Sequence, residues 1–193
     1  MERIVVFCGS RKGASPVYEE GAAALGQELA RRGIELVYGG ASVGLMGVTA
    51  DAVLAGGGRV TGVIPTMLDE REIAHQGLND LIVVDSMHER KAKMAELADG
   101  FIALPGGPGT LEEFVEIFTW GQLGLHQKPL GLLNIEHYYD PLAAFFNHMT
   151  NQQFLDEKYR SMAFVESDAS RMIDHFNTWQ APVVKQYIEE GET

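Results

Sequence analysis

Residues 103–114 read ALPGGPGTLEEF, and this stretch decides the fold class because it joins an apolar run to a helical pattern through glycines. The run that enters it, GFIA at residues 100–103, has no alternating polar positions. Such a run is typical of a strand that is buried on both faces of a sheet. Beyond the glycines, two glutamates and a phenylalanine begin a pattern with helical spacing. Strand, loop and helix in this order form the repeating unit of a parallel α/β sheet.

The same alternation runs along the rest of the chain. Apolar runs predict six strands, at residues 4–8, 34–40, 59–65, 81–86, 100–107 and 129–134. Helical spacing predicts helices at residues 16–32, 44–57, 87–98 and 111–124, from 140 onward, and at 168–180. Strands that alternate with helices pair in parallel. We therefore expect an α/β fold with a doubly wound, mostly parallel Rossmann-like sheet and helices on both faces.

Length, composition and charge restrict the number of domains and the possible partners. The chain has 193 residues, of which 46% are hydrophobic, so it can bury a sizeable core. We find no linker, repeat or low-complexity segment and expect a single Rossmann-like domain over residues 1–193. Residues 186–193 are expected to form a disordered acidic tail. The net charge of −12 argues against a general nucleic-acid binder, which needs a basic face.

Three features of the sequence predict a cytoplasmic protein without a membrane partner. No apolar run approaches the roughly 18–20 residues that span a bilayer. The first residues, MERIVVFCGS, lack the cleavage site of a signal peptide. The lone Cys8 has no internal disulfide partner and fits a reducing compartment. Because Cys8 falls in an apolar run, we expect a buried structural thiol rather than a nucleophile.

Three glycine-rich turns follow predicted strands, at residues 9–13, 39–47 and 105–110. Ligands of doubly wound sheets bind at the carboxyl ends of the strands, where these turns fall. Tight turns need glycine for backbone reasons alone, and this explains each of the first two when taken singly. Three such turns at one sheet edge are more suggestive of a ligand site.

The third turn, PGGPGT at residues 105–110, is the most specific of them. It lacks the Gly-Lys-Ser/Thr ending of a Walker A loop, and Glu112 stands where the dinucleotide motif GxGxxG has its last glycine. What remains is a loop whose free amides precede a helix, an arrangement that binds phosphate. Thr110 adds a hydroxyl or caps the helix.

Charged residues flank this predicted phosphate loop. Arg90 and Lys91 start a helix at the same sheet edge. Without the neighbouring loop, we would interpret them as part of a solvent-exposed face. One of the adjacent Glu112 and Glu113 is explained by the favourable helix dipole. The two lie about 100° apart on a helix, so one faces the pocket and the other faces solvent. Together these groups form a charged constellation in a cleft.

MHERK at residues 87–91, followed by PGGPGTLEE at 105–113, resembles the LOG (Lonely Guy) family. Its members are cytokinin riboside 5′-monophosphate phosphoribohydrolases, long mislabelled as lysine decarboxylases. The resemblance covers most of the chain to about residue 165, through FCGS at 7–10, YGGASVGLMG at 38–47, GVIP at 62–65 and TWGQLG at 119–124.

The resemblance implies hydrolysis of the N-glycosidic bond of a cytokinin riboside 5′-monophosphate, with AMP as a further candidate substrate. The products would be a free base and ribose 5-phosphate. It also implies a homodimer or a larger assembly of dimers. By motif match the catalytic pair is Arg90 and Glu113. The implied substrate-binding residues are Glu72, Arg90, Lys91, Gly107, Pro108, Gly109, Thr110, Leu111, Glu112, Glu113 and Thr119.

The match departs from the family at two of these positions. The segment around Glu72 differs from the commoner family wording, so its assignment rests on weaker matching. Pro108 stands where many members carry tyrosine, which changes the stiffness of the loop but keeps its glycines. Glu72 lies in the polar stretch 66–80, which is either a lid over the strand ends or a plain connection.

The implied reaction assigns a task to the carboxylate beside the phosphate loop. Cleavage of the glycosidic bond builds positive charge on C1′ of the ribose. We expect Glu113 to stabilise that charge or to orient the attacking water. Arg90 assists the departing base, binds phosphate or positions Glu113, and the sequence leaves these three open. It stays protonated, which favours electrostatics and positioning over acid catalysis.

Other readings of the chain remain. A carrier of the same fold would hold a nucleotide or a phosphorylated cofactor without hydrolysis, although it would need the loop and not the carboxylate. An apolar base pocket would draw on residues such as Met46 or Met94. No metal or other cofactor is expected, because ligand spacing is lacking among His75, His88, His126, His137 and His148.

Overall fold

The structure is a computed structural model that describes residues 1–69 and 74–184. Glu72 and the predicted tail at 186–193 lie outside the described residues. Within them one sheet has the strand order β4-β3-β2-β1-β5-β6-β7, and every pairing is parallel. The strands are β1 Arg3–Phe7, β2 Glu35–Tyr38, β3 Val60–Pro65, β4 Asp80–Val84, β5 Gly100–Ala103, β6 Leu130–Leu133 and β7 Ala163–Glu166. The predicted doubly wound α/β class is confirmed.

Helices connect the strands and cover both faces of the sheet. They are α1 Pro16–Arg32, α2 Gly44–Ala55, α3 Thr66–Asp69, α4 Met87–Leu97, α5 Pro108–Leu123, α6 Asp140–Asn151, α7 Glu157–Arg160 and α8 Ala169–Asn177, with a short 3-10 helix at Ile135–His137. No helix in the described part of the chain is long and apolar enough to cross a membrane.

The core consists of two apolar layers, one on each side of the sheet. Alternate residues of a strand point to opposite faces, and β1 shows this directly. Ile4 and Val6 pack into the layer beneath α1, α2 and α8. Val5 and Phe7 pack into the layer beneath α4, α5 and α6. Because both faces are covered, the strand has no polar alternation, as its sequence predicted.

Several features differ from the sequence-based expectations. The short helices α3 and α7 and the 3-10 helix were not predicted. The strand β7, Ala163–Glu166, was missed because it lies at the sheet edge and only its first residue is fully buried. Helix α5 begins at Pro108 rather than at residue 111, since proline fits the first turn of a helix. The turn after β5 therefore shrinks to residues 105–107, and Gly109 and Thr110 belong to the helix.

The strand order reverses between β1 and β5, which creates a crevice at their carboxyl ends. The three glycine turns converge there. The amide of Gly9 donates to the carbonyl of Pro105 at 3.1 Å, and the amide of Leu45 donates to the carbonyl of Gly9 at 3.0 Å. Gly106 has no room for a side chain, because an added Cβ would lie 2.9 Å from the Gly9 nitrogen. The turns are thus packed backbone against backbone.

Candidate active site

Arg90 is held in place by the first turn of α4 and by the end of β3. Ser86 caps this helix, and its hydroxyl accepts from the amide of Glu89 at 3.1 Å. The Nε of Arg90 donates to the carbonyl of Val63 at 3.1 Å. Its guanidinium lies against Gly39, at the end of β2, where a Cβ would collide with it. The backbone of two strands thus directs this cation into the crevice.

Glu113 meets Arg90 from the neighbouring helix. The Oε1 of Glu113, on α5, lies 3.5 Å from Nη1 of Arg90, and each side chain is only 11% exposed. Burial raises the pKa of Glu113, and the positive charge of Arg90 opposes that rise. The structure therefore brings the two catalytic candidates together as a largely buried pair, in which Arg90 favours the charged form of the carboxylate.

Lys91, which the resemblance implies as a substrate-binding residue, is paired with two carboxylates of α5. Its Nζ lies 2.6 Å from Oε1 of Glu112 and 2.9 Å from Oε2 of Glu116, both on α5. Burial lowers the pKa of Lys91, but the two carboxylates more than offset this and hold it above its ordinary value. Lys91 thus links α4 to α5 through two ion pairs, one residue along the chain from Arg90. Glu112 is exposed and Glu113 is buried, as their 100° separation predicts.

The start of α5 offers free hydrogen-bond donors to an anion. Its N-cap, Gly107, supplies no side-chain cap. Within the described residues, no acceptor is recorded for the amides of Gly107, Gly109 and Thr110, whereas the amide of Leu111 bonds to Gly107. Such amides, with the helix dipole, attract negative charge.

A cleft of about 380 Å³ lies between this turn and the turn that follows β1. It is bounded by the ranges 9–13 and 105–108 and by the side chains of Tyr18, Leu45 and Tyr138. Arg11 and Lys12 add positive charge to its rim, although Lys12 is paired with Glu19 at 2.7 Å. The cleft combines amides, cations and aromatic walls, which suits a phosphorylated ligand with a ring.

Among the described residues that the resemblance implies for substrate binding, only Gly107 and Pro108 line this cleft. Leu111 is 41% exposed, and Thr119 lies two turns further along α5 with its hydroxyl donating to the carbonyl of Val115 at 2.8 Å. Residues 111, 115 and 119 share one outward stripe of the helix. The side chains of Leu111 and Thr119 therefore do not reach the cleft of their own chain.

The apolar candidates for a base pocket separate in the structure. Met46 is half-buried, and its sulfur would lie 3.4 Å from a Cβ built on Gly39, beside the guanidinium of Arg90. Met94 is 1% exposed within the core layer beneath α4, so it is not available to a ligand. Cys8 is buried, as the sequence predicted, and burial raises the pKa of its thiol.

Sequence reasoning missed Tyr138. Its hydroxyl donates to the carbonyl of Gly106 at 2.6 Å, and its ring lines the cleft. The residue follows β6 and is far from the glycine turn along the chain, so no local motif connects the two. The resemblance did not include it either.

Comparisons with known proteins show which family the chain resembles. A family profile described as "Possible lysine decarboxylase" matches residues 46–176. The chain is 48% identical to the cytokinin riboside 5′-monophosphate phosphoribohydrolase LOG of Oryza sativa subsp. japonica, over 98% of this chain and 75% of that protein. It is 47% identical to the phosphoribohydrolase LOG7 of Arabidopsis thaliana, over 93% of this chain and 82% of that protein. The chain belongs to the LOG family.

Solved structures of proteins with much lower sequence identity share the fold. The molybdenum cofactor binding protein from Rippkaea orientalis is 22% identical and superimposes with a TM-score of 0.70, over 92% of this chain and 97% of that one. The DNA processing protein A from Streptococcus pneumoniae is 14% identical with a TM-score of 0.60, over 91% of this chain and 62% of that one. At these identities the likeness shows the fold alone, so LOG membership rests on the sequence relatives.

Replacing Gly39 by alanine should disable this LOG site without unfolding it. The new Cβ would push against the guanidinium of Arg90, a flexible group that can move, and Gly39 is not among the left-handed glycines. A catalytic group displaced by about 1 Å costs roughly a hundredfold in rate. We expect kcat/KM to fall by that order while the melting temperature stays close to that of the wild type. An unchanged rate would mean that Arg90 need not sit against Gly39.

Proposed function

We propose that the chain hydrolyses the N-glycosidic bond of cytokinin riboside 5′-monophosphates to a free base and ribose 5-phosphate. The observation that carries this is the buried carboxylate of Glu113, 3.5 Å from Arg90, on the helix whose first residues also line the cleft. Relatives at 48% and 47% identity carry this activity in their names. The buried cysteine fits the cytoplasmic location that the sequence predicts.

The reaction needs two separate functions, the binding of the phosphate and the stabilisation of the ribose cation, and we assign each to a different part of α5. The amides at the start of α5 bind the 5′-phosphate, which is remote from the bond that breaks and so supplies orientation. As the bond from C1′ to the base nitrogen breaks, positive charge develops on the ribose. Glu113, as a carboxylate, stabilises this charge and orients the water whose oxygen forms the new bond to C1′. The departing base nitrogen ends with a proton, and the net reaction consumes one water.

Arg90 acts chiefly as a positioning and electrostatic residue in this scheme. Its Nε is committed to the carbonyl of Val63, and its Nη1 faces Glu113. A guanidinium stays protonated and so does not serve as a general acid. Of the three roles that the sequence left open, this geometry favours the positioning of Glu113, and it keeps the carboxylate charged against the effect of burial.

The test is a comparison of three substrates under identical conditions. Release of base and of ribose 5-phosphate is measured for isopentenyladenosine 5′-monophosphate, for AMP and for isopentenyladenosine. We expect the nucleotides to react and the riboside to react roughly a hundredfold more slowly, because it lacks the phosphate that orients the substrate. The ratio of the two nucleotide rates assigns the base preference. Tight binding of both nucleotides without turnover would instead favour a carrier.

We further propose that the enzyme works as a homodimer through the outward face of α4 and α5. Met87, Leu111 and Val115 are 41%, 41% and 36% exposed on these two neighbouring helices, and they give this face an apolar character. Thr119 lies on the same stripe. A second copy docked here would place Leu111 and Thr119 in a shared pocket, which accounts for their match to the substrate-binding positions of the family.

The variant Val115→Arg is expected to dissociate this dimer, because it puts a charge into the centre of an apolar contact. Light scattering should give the mass of a monomer, and turnover should fall with it. Phe154→Arg is the matched control, since Phe154 is an apolar residue that is 88% exposed and follows α6 rather than belonging to α4 or α5. A Val115→Arg protein that keeps both the mass of an assembly and its full activity would place the interface elsewhere.

A further inference from the structure

The segment that follows β6 has an unusual backbone. Glu136 and His137 have φ angles of 49° and 60°, so two successive residues other than glycine adopt the left-handed region. Side chains rarely tolerate this conformation, and it persists only where the surroundings impose it. The segment lies at the carboxyl end of β6, next to the turn that precedes α5.

Side chains around the segment hold this backbone in place. The Oδ1 of Asn134 accepts from the amide of Tyr139 at 2.7 Å, and its Nδ2 donates to Oδ1 of Asp140 at 2.7 Å. The Nδ1 of His137 lies 3.1 Å from the other carboxylate oxygen of Asp140. A closed set of contacts thus fixes the direction in which the next two side chains leave the chain.

Those two side chains are tyrosines, and both reach the turn after β5. The hydroxyl of Tyr138 donates to the carbonyl of Gly106, and that of Tyr139 donates to the carbonyl of Leu104, each at 2.6 Å. The ring of Tyr138 packs edge-on against Tyr139 and Tyr18, with centroids 5.1 and 5.9 Å away. The strained segment therefore places two tyrosine hydroxyls so that they donate hydrogen bonds to carbonyls at and just before the glycine turn.

The hydrogen bonds of Tyr138 and Tyr139 have different consequences for the amides of the turn. In a trans peptide the carbonyl oxygen and the following N–H point in opposite directions. Tyr138, by binding the oxygen of Gly106, turns the N–H of Gly107 away from itself. Leu104 is followed by Pro105, which has no N–H, so Tyr139 anchors the turn without orienting a donor. Gly107 lines the cleft, and its amide has no recorded acceptor in the described part of the chain.

We propose that Tyr138 is a positioning residue that holds the Gly107 amide towards the 5′-phosphate and so sets the preference for phosphorylated substrates. The inference rests on the proposed hydrolysis of nucleoside monophosphates. It predicts that Tyr138 acts on the phosphate end of the substrate and leaves the chemistry at Glu113 untouched.

The variant Tyr138→Phe tests this, because it keeps the ring and removes the hydrogen bond. One such bond contributes a factor of about five to ten. We expect KM for the nucleotide and the inhibition constants of inorganic phosphate and ribose 5-phosphate to rise by that factor, with kcat within about twofold. Hydrolysis of the riboside should not change. Tyr159→Phe, on α7 under Lys158, is the matched control and should leave every constant unchanged.

Two results would overturn the inference. Unchanged phosphate inhibition in Tyr138→Phe would show that the turn keeps its amide orientation without the hydroxyl. An equal loss of rate on nucleotide and riboside would show a general structural role. The proposed function fails separately, if the wild type turns over neither nucleotide. Calorimetric titration with inorganic phosphate still decides the role of Tyr138 in that case, since weaker binding to Tyr138→Phe supports it and equal binding refutes it.

Discussion

Replacing Glu113 by glutamine is expected to lower kcat by at least about a hundredfold while the nucleotide still binds. Glutamine keeps the size of the buried side chain and removes its negative charge. The charge is what stabilises the developing cation on C1′ and orients the water, and groups in such roles contribute about 10²–10⁴-fold. The phosphate is held elsewhere, by the amides at the start of α5, so binding should persist. Base release and calorimetric titration with AMP measure the two effects.

Glu96→Gln is the matched control for this variant. Glu96 lies on α4 with an exposed side chain, paired to Lys93 at 2.9 Å, and its loss should leave the rate unchanged. Retained turnover in Glu113→Gln would reduce Glu113 to a structural partner of Arg90. Loss of binding together with turnover would assign it to the substrate site rather than to the chemistry.

Replacing Arg90 by methionine should lower kcat/KM by roughly a hundredfold and move the acid limb of the pH profile to higher pH. The rate depends on the carboxylate form of Glu113. Burial raises the pKa of that group, and Arg90 acts against the rise. Without the cation, burial acts unopposed, so the carboxylate takes up its proton at a higher pH and the rate falls earlier on acidification. Removing one preorganised electrostatic partner costs about 10²–10³ in rate.

The measurement is the pH dependence of kcat/KM for the wild type and for Arg90→Met, with melting temperatures taken alongside. Lys93→Met serves as the control, because it removes a positive charge from the same helix at a site paired with Glu96. Its acid limb should coincide with that of the wild type. An acid limb of Arg90→Met that does not move would mean that Arg90 does not control the charge of Glu113.

Much of the fold could be predicted because its strands are buried on both faces. The continuous apolar runs around Val5, Val37 and Ile102 carry this signal without any information on their neighbours. The edge strand β7 gave a weaker signal, because only one of its four residues is fully buried and its apolar run ends at Glu166. The start of α5 at Pro108 was predicted three residues late, since glycines and prolines read as loop even where they form the first helical turn.

The candidate site also has features that the sequence predicted and features that it did not. The motifs identified Arg90 and Glu113, and the structure brings their charged atoms within 3.5 Å. The motifs did not show that Lys91 binds carboxylates of α5 or that Leu111 points outward. Each of these depends on how two helices face each other, which the spacing within one helix does not encode.

The sequence by itself determined the order of strands and helices, the glycine turns and the residue types that supply charge, because these follow from local periodicity and local backbone preference. Only the tertiary structure decided which of those residues meet. The order of strands in the sheet brings Tyr138 to the carbonyl of Gly106, although distant segments carry them. Burial between two packed helices, and not the identity of the residue, makes the charge of Glu113 depend on Arg90.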